Sequence, residues 1–129
     1  MQAVQITHYT LTIGPGGNWL RLTRNATPFR DLDAVNEAVA ELTPLLRSRA
    51  GRGVRFLLDL TQGPSGRNDP EFEKATARLR QLYTETFPDR RILVRSAVGR
   101  LQVLRLNPRM ERDSVFIDEE AARRWLEHG

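Results

Sequence analysis

The sequence lacks cysteine altogether, and only one of its 20 basic residues, Lys74, is a lysine. Without cysteine the chain can form neither disulfides nor metal sites built on thiolates. Residues 1–6 lack the basic start and the long apolar region of a signal peptide. No apolar run approaches the ~20 residues that are needed to span a bilayer. These absences predict a cytoplasmic protein without a transmembrane segment.

Histidine is also scarce, since the chain contains His8 and His128 near its opposite ends and no others. There is no Gly-x-Ser-x-Gly motif, no pair of histidines at helical spacing and no calcium-loop pattern. The glycine-rich stretch 14–17 lacks the Gly-Lys-Ser/Thr ending of a phosphate-binding loop, and no helix is predicted directly after it. The sequence therefore predicts that the protein is not an enzyme and that it holds no metal and no cofactor.

The net charge of +4 and the isoelectric point of about 10.6 make an anionic partner a hypothesis. Arginine side chains match phosphates and carboxylates in geometry as well as in charge. The arginines are nevertheless scattered and largely interleaved with acidic residues, so no basic tract emerges. No helix-turn-helix pattern and no aromatic–basic strand motif stands out either. The sequence does not favour nucleic acid as a partner.

The spacing of apolar residues predicts an α/β protein with the element order β-β-α-β-α-β-α-β-α in a single domain, residues 1–129. Two strands form a hairpin, and the later strands alternate with helices, which is typical of a mixed, largely parallel sheet. The predicted strands are 7–13, 19–23, 54–60, 92–94 and 114–117, and the predicted helices are 32–46, 69–87, 96–106 and 118–126. Segment 96–106 is ambiguous, but it fits a helix better than a strand.

The strand at residues 54–60 is a nearly continuous apolar run, which indicates a central strand that is covered on both faces. A loop with two glycines, a proline and a serine follows at residues 61–68. Asp69 and Pro70 then open a helix, because aspartate is a good N-cap and proline loses no hydrogen bond at the first helical position. Loops at the carboxyl ends of such strands are where α/β proteins place their sites.

Two stretches, together with the element order, resemble the sporulation anti-anti-sigma superfamily, the STAS domains, and especially its SpoIIAA-like branch. Leu57-Leu58-Asp59-Leu60-Thr61 is similar to the strand of that family that ends in Asp-Leu-Ser or Asp-Leu-Thr. Residues 115–126, Val-Phe-Ile-Asp-Glu-Glu-Ala-Ala-Arg-Arg-Trp-Leu, are similar to the closing strand and helix of the family. The resemblance covers essentially the whole chain and implies a STAS-like mixed sheet with about four helices.

The resemblance implies a regulatory module that binds a protein partner through the loop and helix start after the central strand. The residues that it implicates are Thr61, Gln62, Ser65, Gly66, Arg67, Asn68 and Asp69. In the anti-sigma antagonists a kinase phosphorylates a serine or threonine at that helix start, whereas the ungapped position here holds Asp69. Asp69 either mimics a modified residue or simply caps the helix. Ser65 is the candidate phosphoacceptor or an ordinary turn residue.

SpoIIAA-like domains share their architecture with lipid-carrying CRAL-TRIO-type domains. The resemblance therefore implies an alternative function, that of a carrier or sensor for a small apolar or lipid-like ligand. Its candidate pocket residues are Trp19, Phe29, Phe56 and Tyr83. Aromatic residues at strand or helix spacing are usually part of a core, so the sequence leaves both interpretations of these side chains open.

Overall fold

A six-stranded mixed β-sheet with helices on both faces organises the described part of the chain. The structure is a computed structural model that describes residues 2–51, 53–64 and 69–129. The strands are β1 (Gln2–Gln5), β2 (Tyr9–Ile13), β3 (Trp19–Arg24), β4 (Arg55–Asp59), β5 (Arg90–Leu93) and β6 (Val115–Phe116). The helices are α1 (Leu32–Arg47), α2 (Pro70–Thr86), α3 (Ala97–Leu106) and α4 (Glu119–His128). Among the described residues, no helix combines the length and the apolar composition that crossing a bilayer requires.

The six strands lie side by side in chain order. Strands β1, β2 and β3 are antiparallel, whereas β3, β4, β5 and β6 run parallel and are joined through helices. The predicted α/β class, the hairpin and the four helices, including the one at Ala97–Leu106, are confirmed. Strand β1 was not predicted. Its side chains are mostly exposed at the sheet edge, so no apolar alternation reveals it, and backbone pairing with β2 forms it.

Local sequence determines where helix α1 begins and which of its faces is buried. It begins after Asp31, whose carboxylate accepts a hydrogen bond from the Ala34 amide at 2.9 Å. Pro44, which predicts a kink or a restart, lies inside one continuous helix that ends at Arg47. A proline removes one internal hydrogen bond, and that loss is tolerated here because the remaining turn is anchored by the buried Leu46. The buried stripe of α1 consists of Ala34, Val35, Ala38, Leu42 and Leu46.

The sheet buries a separate apolar cluster on each face. The larger cluster joins one face to α1, α2 and the partly buried side of α3, and Leu20, Leu22, Phe56 and Leu58 are its central strand residues. The smaller cluster joins the other face to α4 and contains Trp19, Leu57, Leu93, Ala122 and Leu126. Successive residues of a strand point to opposite faces, and this is why neighbours such as Phe56 and Leu57 belong to different clusters.

Candidate functional site

A cavity of about 730 Å³ lies between α2, α3 and the face of the sheet that carries the larger cluster. Its walls are mostly apolar, and they include Leu58, Phe72, Leu79, Ile92, Val103 and Met110. Cavities that bind small molecules in proteins have volumes of roughly 300–1,000 Å³ and are lined mainly by apolar and aromatic side chains. In volume and in lining, this space matches a site for a small molecule.

Helix α3 does not fill the space between itself and the sheet, because its apolar residues do not form a single stripe. Apolar side chains occur all around the helix, and none of them is fully buried. Leu101 is 67% exposed and lies outside the cavity, while Val98, Val103 and Leu106 border it, although Val98 is itself 65% exposed. A helix with one apolar face would pack that face closely on the sheet, whereas α3 stands off from it. The cavity is thus a consequence of the unusual pattern of α3.

Aromatic rings form one wall of the cavity. Phe56 stacks on Phe87 with ring centroids 4.4 Å apart, and it also contacts Tyr83 at 5.5 Å. Phe29 lies 4.6 Å from the ring of His8. Three of the aromatic residues that the sequence singles out as pocket candidates, Phe29, Phe56 and Tyr83, therefore line one common space.

Trp19, the fourth pocket candidate, does not line this cavity. It belongs to the cluster under α4, on the opposite face of the sheet. The reason is the strand register, since Leu20 and not Trp19 pairs with Phe56, so that Leu20 and Phe56 share a face. The indole instead covers Gly14, where a hypothetical Cβ would lie 2.3 Å from its Cε2 atom.

Two tyrosines place polar groups in the apolar wall. The hydroxyl oxygens of Tyr9 and Tyr83 are 3.4 Å apart, and both residues are buried. Burial raises the pKa of Tyr9, and burial together with the neighbouring Tyr9 raises the pKa of Tyr83 well above its usual value. Both phenols are therefore neutral near pH 7 and carry a proton that can be donated to a ligand.

Arg24 is a buried cation at the edge of the cavity, with 6% of its surface exposed. Its Nη1 donates hydrogen bonds to the carbonyl oxygens of Asn25 at 2.8 Å and Thr27 at 2.6 Å. Its guanidinium carbon lies 4.2 Å from the ring centre of Phe29 and 5.7 Å from that of Tyr9. Burial lowers the pKa of Arg24. No carboxylate of a described residue forms an ion pair with it.

Further arginines border the cavity, namely Arg80, Arg90, Arg91 and Arg95. Arg80 and Arg90 are half-buried, and this burial lowers the pKa of both. The Nη2 of Arg95 donates a hydrogen bond to the Gly63 carbonyl at 3.2 Å. Within the ranges that the structure describes, neither aspartate nor glutamate lines the cavity. The walls therefore combine apolar surface with positive charge.

Sequence reasoning did not assign any arginine to a pocket, although one signal for Arg24 was present. Leu20, Leu22 and Arg24 alternate along β3, so the arginine occupies the third position of a face whose first two positions are core leucines. A charged residue in phase with a core face is informative, because buried charges normally have a partner. Arg80 and Arg90 gave no comparable signal, since the cavity draws them together from different elements.

A second polar cluster fixes the start of the predicted partner loop. Asp59 ends β4 with 2% of its surface exposed, and its Oδ2 lies 2.7 Å from Arg21 Nη2. Its Oδ1 accepts hydrogen bonds from the amide of Thr61 at 2.9 Å and from its hydroxyl at 2.6 Å. Arg21 also pairs with Glu119, the first residue of α4, at 2.8 Å. Burial alone would lower the pKa of Arg21, but its hydrogen bonds to Glu119 and Asp59 outweigh burial and raise it.

The predicted partner loop is described in part. Gln62 is exposed and Thr61 is half-buried, while Ser65, Gly66, Arg67 and Asn68 lie outside the described residues. Asp69 caps α2, since its carboxylate accepts a hydrogen bond from the Glu71 amide at 3.0 Å. Between these parts, Gly63 and Pro64 border the cavity. The loop thus begins at a fixed anchor and passes the edge of the cavity before it reaches α2.

Comparison of the chain with protein-family models, with curated proteins and with solved structures gives no significant match in any of the three. The general α/β architecture follows from the structure, whereas membership of the STAS superfamily stays a prediction from the residues quoted above. Any function has to be argued from the geometry of the site itself.

Proposed function

We propose that this protein is a non-catalytic carrier or sensor that binds a small, largely apolar molecule in the cavity between α2, α3 and the sheet. The observation that carries the proposal is the cavity of about 730 Å³ with its aromatic and aliphatic walls. A core of ordinary packing density leaves few voids larger than a water molecule. Removing apolar surface from water stabilises a protein by roughly 25 cal/mol per Å². A ligand that covers the apolar walls of the cavity would therefore supply stabilisation that the loose packing of α3 does not provide.

The test is a fluorescence titration of the full chain with the neutral apolar probe N-phenyl-1-naphthylamine. The variant Val103→Trp places an indole in the cavity from α3, and we expect it to weaken probe binding at least about tenfold, the equivalent of ~1.4 kcal/mol. Leu101→Trp is the matched control, because it adds the same side chain to the exposed side of the same helix. We expect this control to bind the probe like the wild-type chain.

Two results would remove the proposal. One is the absence of saturable probe binding to the wild-type chain under conditions where circular dichroism shows it to be folded. The other is equal binding by the Val103→Trp and Leu101→Trp variants, since the probe would then occupy a surface outside the cavity.

We further propose that the segment 61–69 is a docking surface for a regulatory protein partner, as the SpoIIAA-like resemblance implies. Two observations favour a connection with the cavity. The Arg21–Asp59–Thr61 hydrogen bonds hold the beginning of the segment in place, and Gly63 and Pro64 border the cavity. A ligand in the cavity would lie beside Gly63 and Pro64, so that a partner bound to this part of the segment would respond to whether the cavity is occupied.

Affinity capture from a lysate of the native host tests this surface with the Ser65→Glu and Asp69→Arg variants. We expect both to lose a polypeptide that the wild-type chain retains. Asp31→Arg is the matched control for Asp69→Arg, because Asp31 is also a helix N-cap and its loss costs a similar ~1 kcal/mol of helix stability. Retention of every captured partner by both loop variants would show that the surface lies elsewhere.

A further inference from the structure

Arg24 presents unused hydrogen-bond donors to the cavity. A guanidinium carries five N–H groups, and every hydrogen bond from Arg24 to a described residue starts at Nη1. Among the described residues, the one buried side-chain nitrogen or oxygen atom without a hydrogen-bond partner is Arg100 Nε. The Nε and Nη2 atoms of Arg24, which have no partner in the part of the chain that the structure describes, are therefore accessible rather than fully buried. Arg24 lines the cavity, so a ligand in this space can reach these donors.

A buried cation without a carboxylate is costly. Removing a charge from water is unfavourable, and proteins normally offset this penalty with an opposite charge and further hydrogen bonds. Carbonyl oxygens of Asn25 and Thr27 and the ring of Phe29 offset part of this penalty for Arg24. None of the described residues supplies the opposite charge through an ion pair, and the cavity that Arg24 lines has room for a ligand that carries one.

The groups around Arg24 favour an oxyanion in that place. Tyr9 lies beside the guanidinium, and its hydroxyl contacts that of Tyr83. A pair of neutral phenols has at least one proton that can be donated to an anion. Arg80 and Arg90 add positive charge to the walls, but they are more exposed than Arg24, and Glu73 acts on Arg80. Arg24 is therefore the best anchor.

The apolar part of the cavity is suited to a hydrocarbon group. Phe56, Leu79, Ile92 and Val103 line it without contributing a polar side chain. From this combination we infer that the ligand is an amphiphilic anion, with an apolar tail along these residues and a carboxylate or phosphate head group paired with Arg24. This inference rests on the proposed function, because it specifies the chemistry of the ligand that the same cavity holds.

Displacement of N-phenyl-1-naphthylamine from the full chain tests the inference with three ligands that carry the same ten-carbon alkyl tail: undecanoate, decyl phosphate and decanol. We expect one or both anions to displace the probe at a concentration at least about tenfold below that of decanol, as a charge-assisted hydrogen bond requires. The stronger of the two anions then identifies the head group. Equal displacement by decanol and both anions would overturn the inference, and this comparison needs no variant.

Variants locate the anchor. Arg24→Gln should lose at least about tenfold in affinity for the preferred anion while it keeps its affinity for the neutral probe, which also reports that the cavity is intact. Arg78→Gln is the matched control, because it removes the same charge from the exposed side of α2, where Arg78 bonds to Asn36. Equal losses in the two variants would exclude Arg24 as the anchor. If the probe itself does not bind the wild-type chain, the proposed function fails instead.

Discussion

Arg21 and Asp59 form an ion pair between two neighbouring parallel strands, with Nη2 of the arginine 2.7 Å from Oδ2 of the aspartate. In the register of β3 and β4, Arg21 lies beside Leu57, so Asp59 is two residues further along the same face. Arg21 extends the contact to Glu119 at the start of α4. One guanidinium thereby joins β3, the end of β4 and the first turn of α4.

The variant Asp59→Asn should destabilise the protein by about 2–3 kcal/mol. The substitution removes the buried negative charge that pairs with Arg21. Arg21 still forms an ion pair with Glu119, so the loss of stability is smaller than for a buried ion that has no partner left. The free energy of unfolding from urea denaturation measures the effect. Glu120→Gln is the control, because its ion pair with Arg124 is exposed and contributes little. Equal unfolding free energies for Asp59→Asn and the wild-type chain would contradict the role of this pair.

Substitution of Gly14 by alanine should destabilise the protein by about 1–3 kcal/mol through overpacking. A Cβ at this position would lie 2.3–2.5 Å from atoms of the Trp19 indole, and that ring is itself buried under α4. Thermal or urea unfolding measures the change. Gly51→Ala provides the comparison, since its nearest contact is Val54 Cγ2 at an ordinary 3.4 Å. If the two variants were equally stable, the close packing of Trp19 on Gly14 would be wrong.

Helix α3 should exchange its backbone amides faster than α2. It contributes no buried side chain, whereas α2 buries Phe72, Leu79, Leu82 and Tyr83, and opening free energy follows the packing that must be broken. Hydrogen exchange followed by mass spectrometry resolves the two helices. Saturation with N-phenyl-1-naphthylamine should slow the exchange of α3, because a ligand adds contacts on its inner side. Protection of α3 equal to that of α2 in the free protein would show that α3 is packed more firmly than the structure indicates.

The stability of the protein should fall above pH 10. Tyr9 and Tyr83 are the two tyrosines of the sequence, and burial raises the pKa of both above the ordinary 10.0. Below that pH both tyrosines are protonated in the folded and the unfolded chain, and they cause no pH dependence. Above it the unfolded chain loses these protons first, so unfolding becomes more favourable, by up to about 1.4 kcal/mol per pH unit for each tyrosine.

Urea unfolding as a function of pH measures this decline, and the ultraviolet absorbance of tyrosinate reports ionisation directly. We expect tyrosinate to form in the native chain at higher pH than in urea, where both tyrosines should titrate near 10.0. A Tyr9→Phe, Tyr83→Phe double variant should lose the tyrosine part of the decline. Native tyrosinate that appears at the same pH as in urea would contradict the burial of the pair.

Several parts of this fold could be predicted because their signals are local. Asp69 before Pro70 indicates a helix start, and the structure shows the aspartate capping α2. The three-four spacing of Leu32, Val35, Val39, Leu42 and Leu46 indicates the apolar face of α1. Val35, Leu42 and Leu46 are buried there, whereas Leu32 at the start of the helix is exposed. Strand β1 had no such signal, because an edge strand with exposed side chains is held by backbone hydrogen bonds that side-chain patterns do not encode.

The candidate site was predictable only in fragments. Phe29, Phe56 and Tyr83 were singled out as aromatic residues and do line one cavity, but so was Trp19, which the strand register places on the other face. The pairing of Trp19 with Arg55 decides this, and a shift of one residue would reverse it. Arg24 was visible as an arginine in phase with two core leucines, but its lack of a carboxylate partner among the described residues was not.

The sequence by itself determined the order of the strands and helices after β1, the helix start at Asp69 and the apolar faces of α1 and α2. Periodicity and capping depend on residues a few positions apart, so they can be read along the chain. Only the tertiary structure decided that α3 stands away from the sheet and that Arg21, Asp59 and Glu119 meet. A cavity is a gap between elements, and its size depends on how side chains far apart in the sequence fill the space between them.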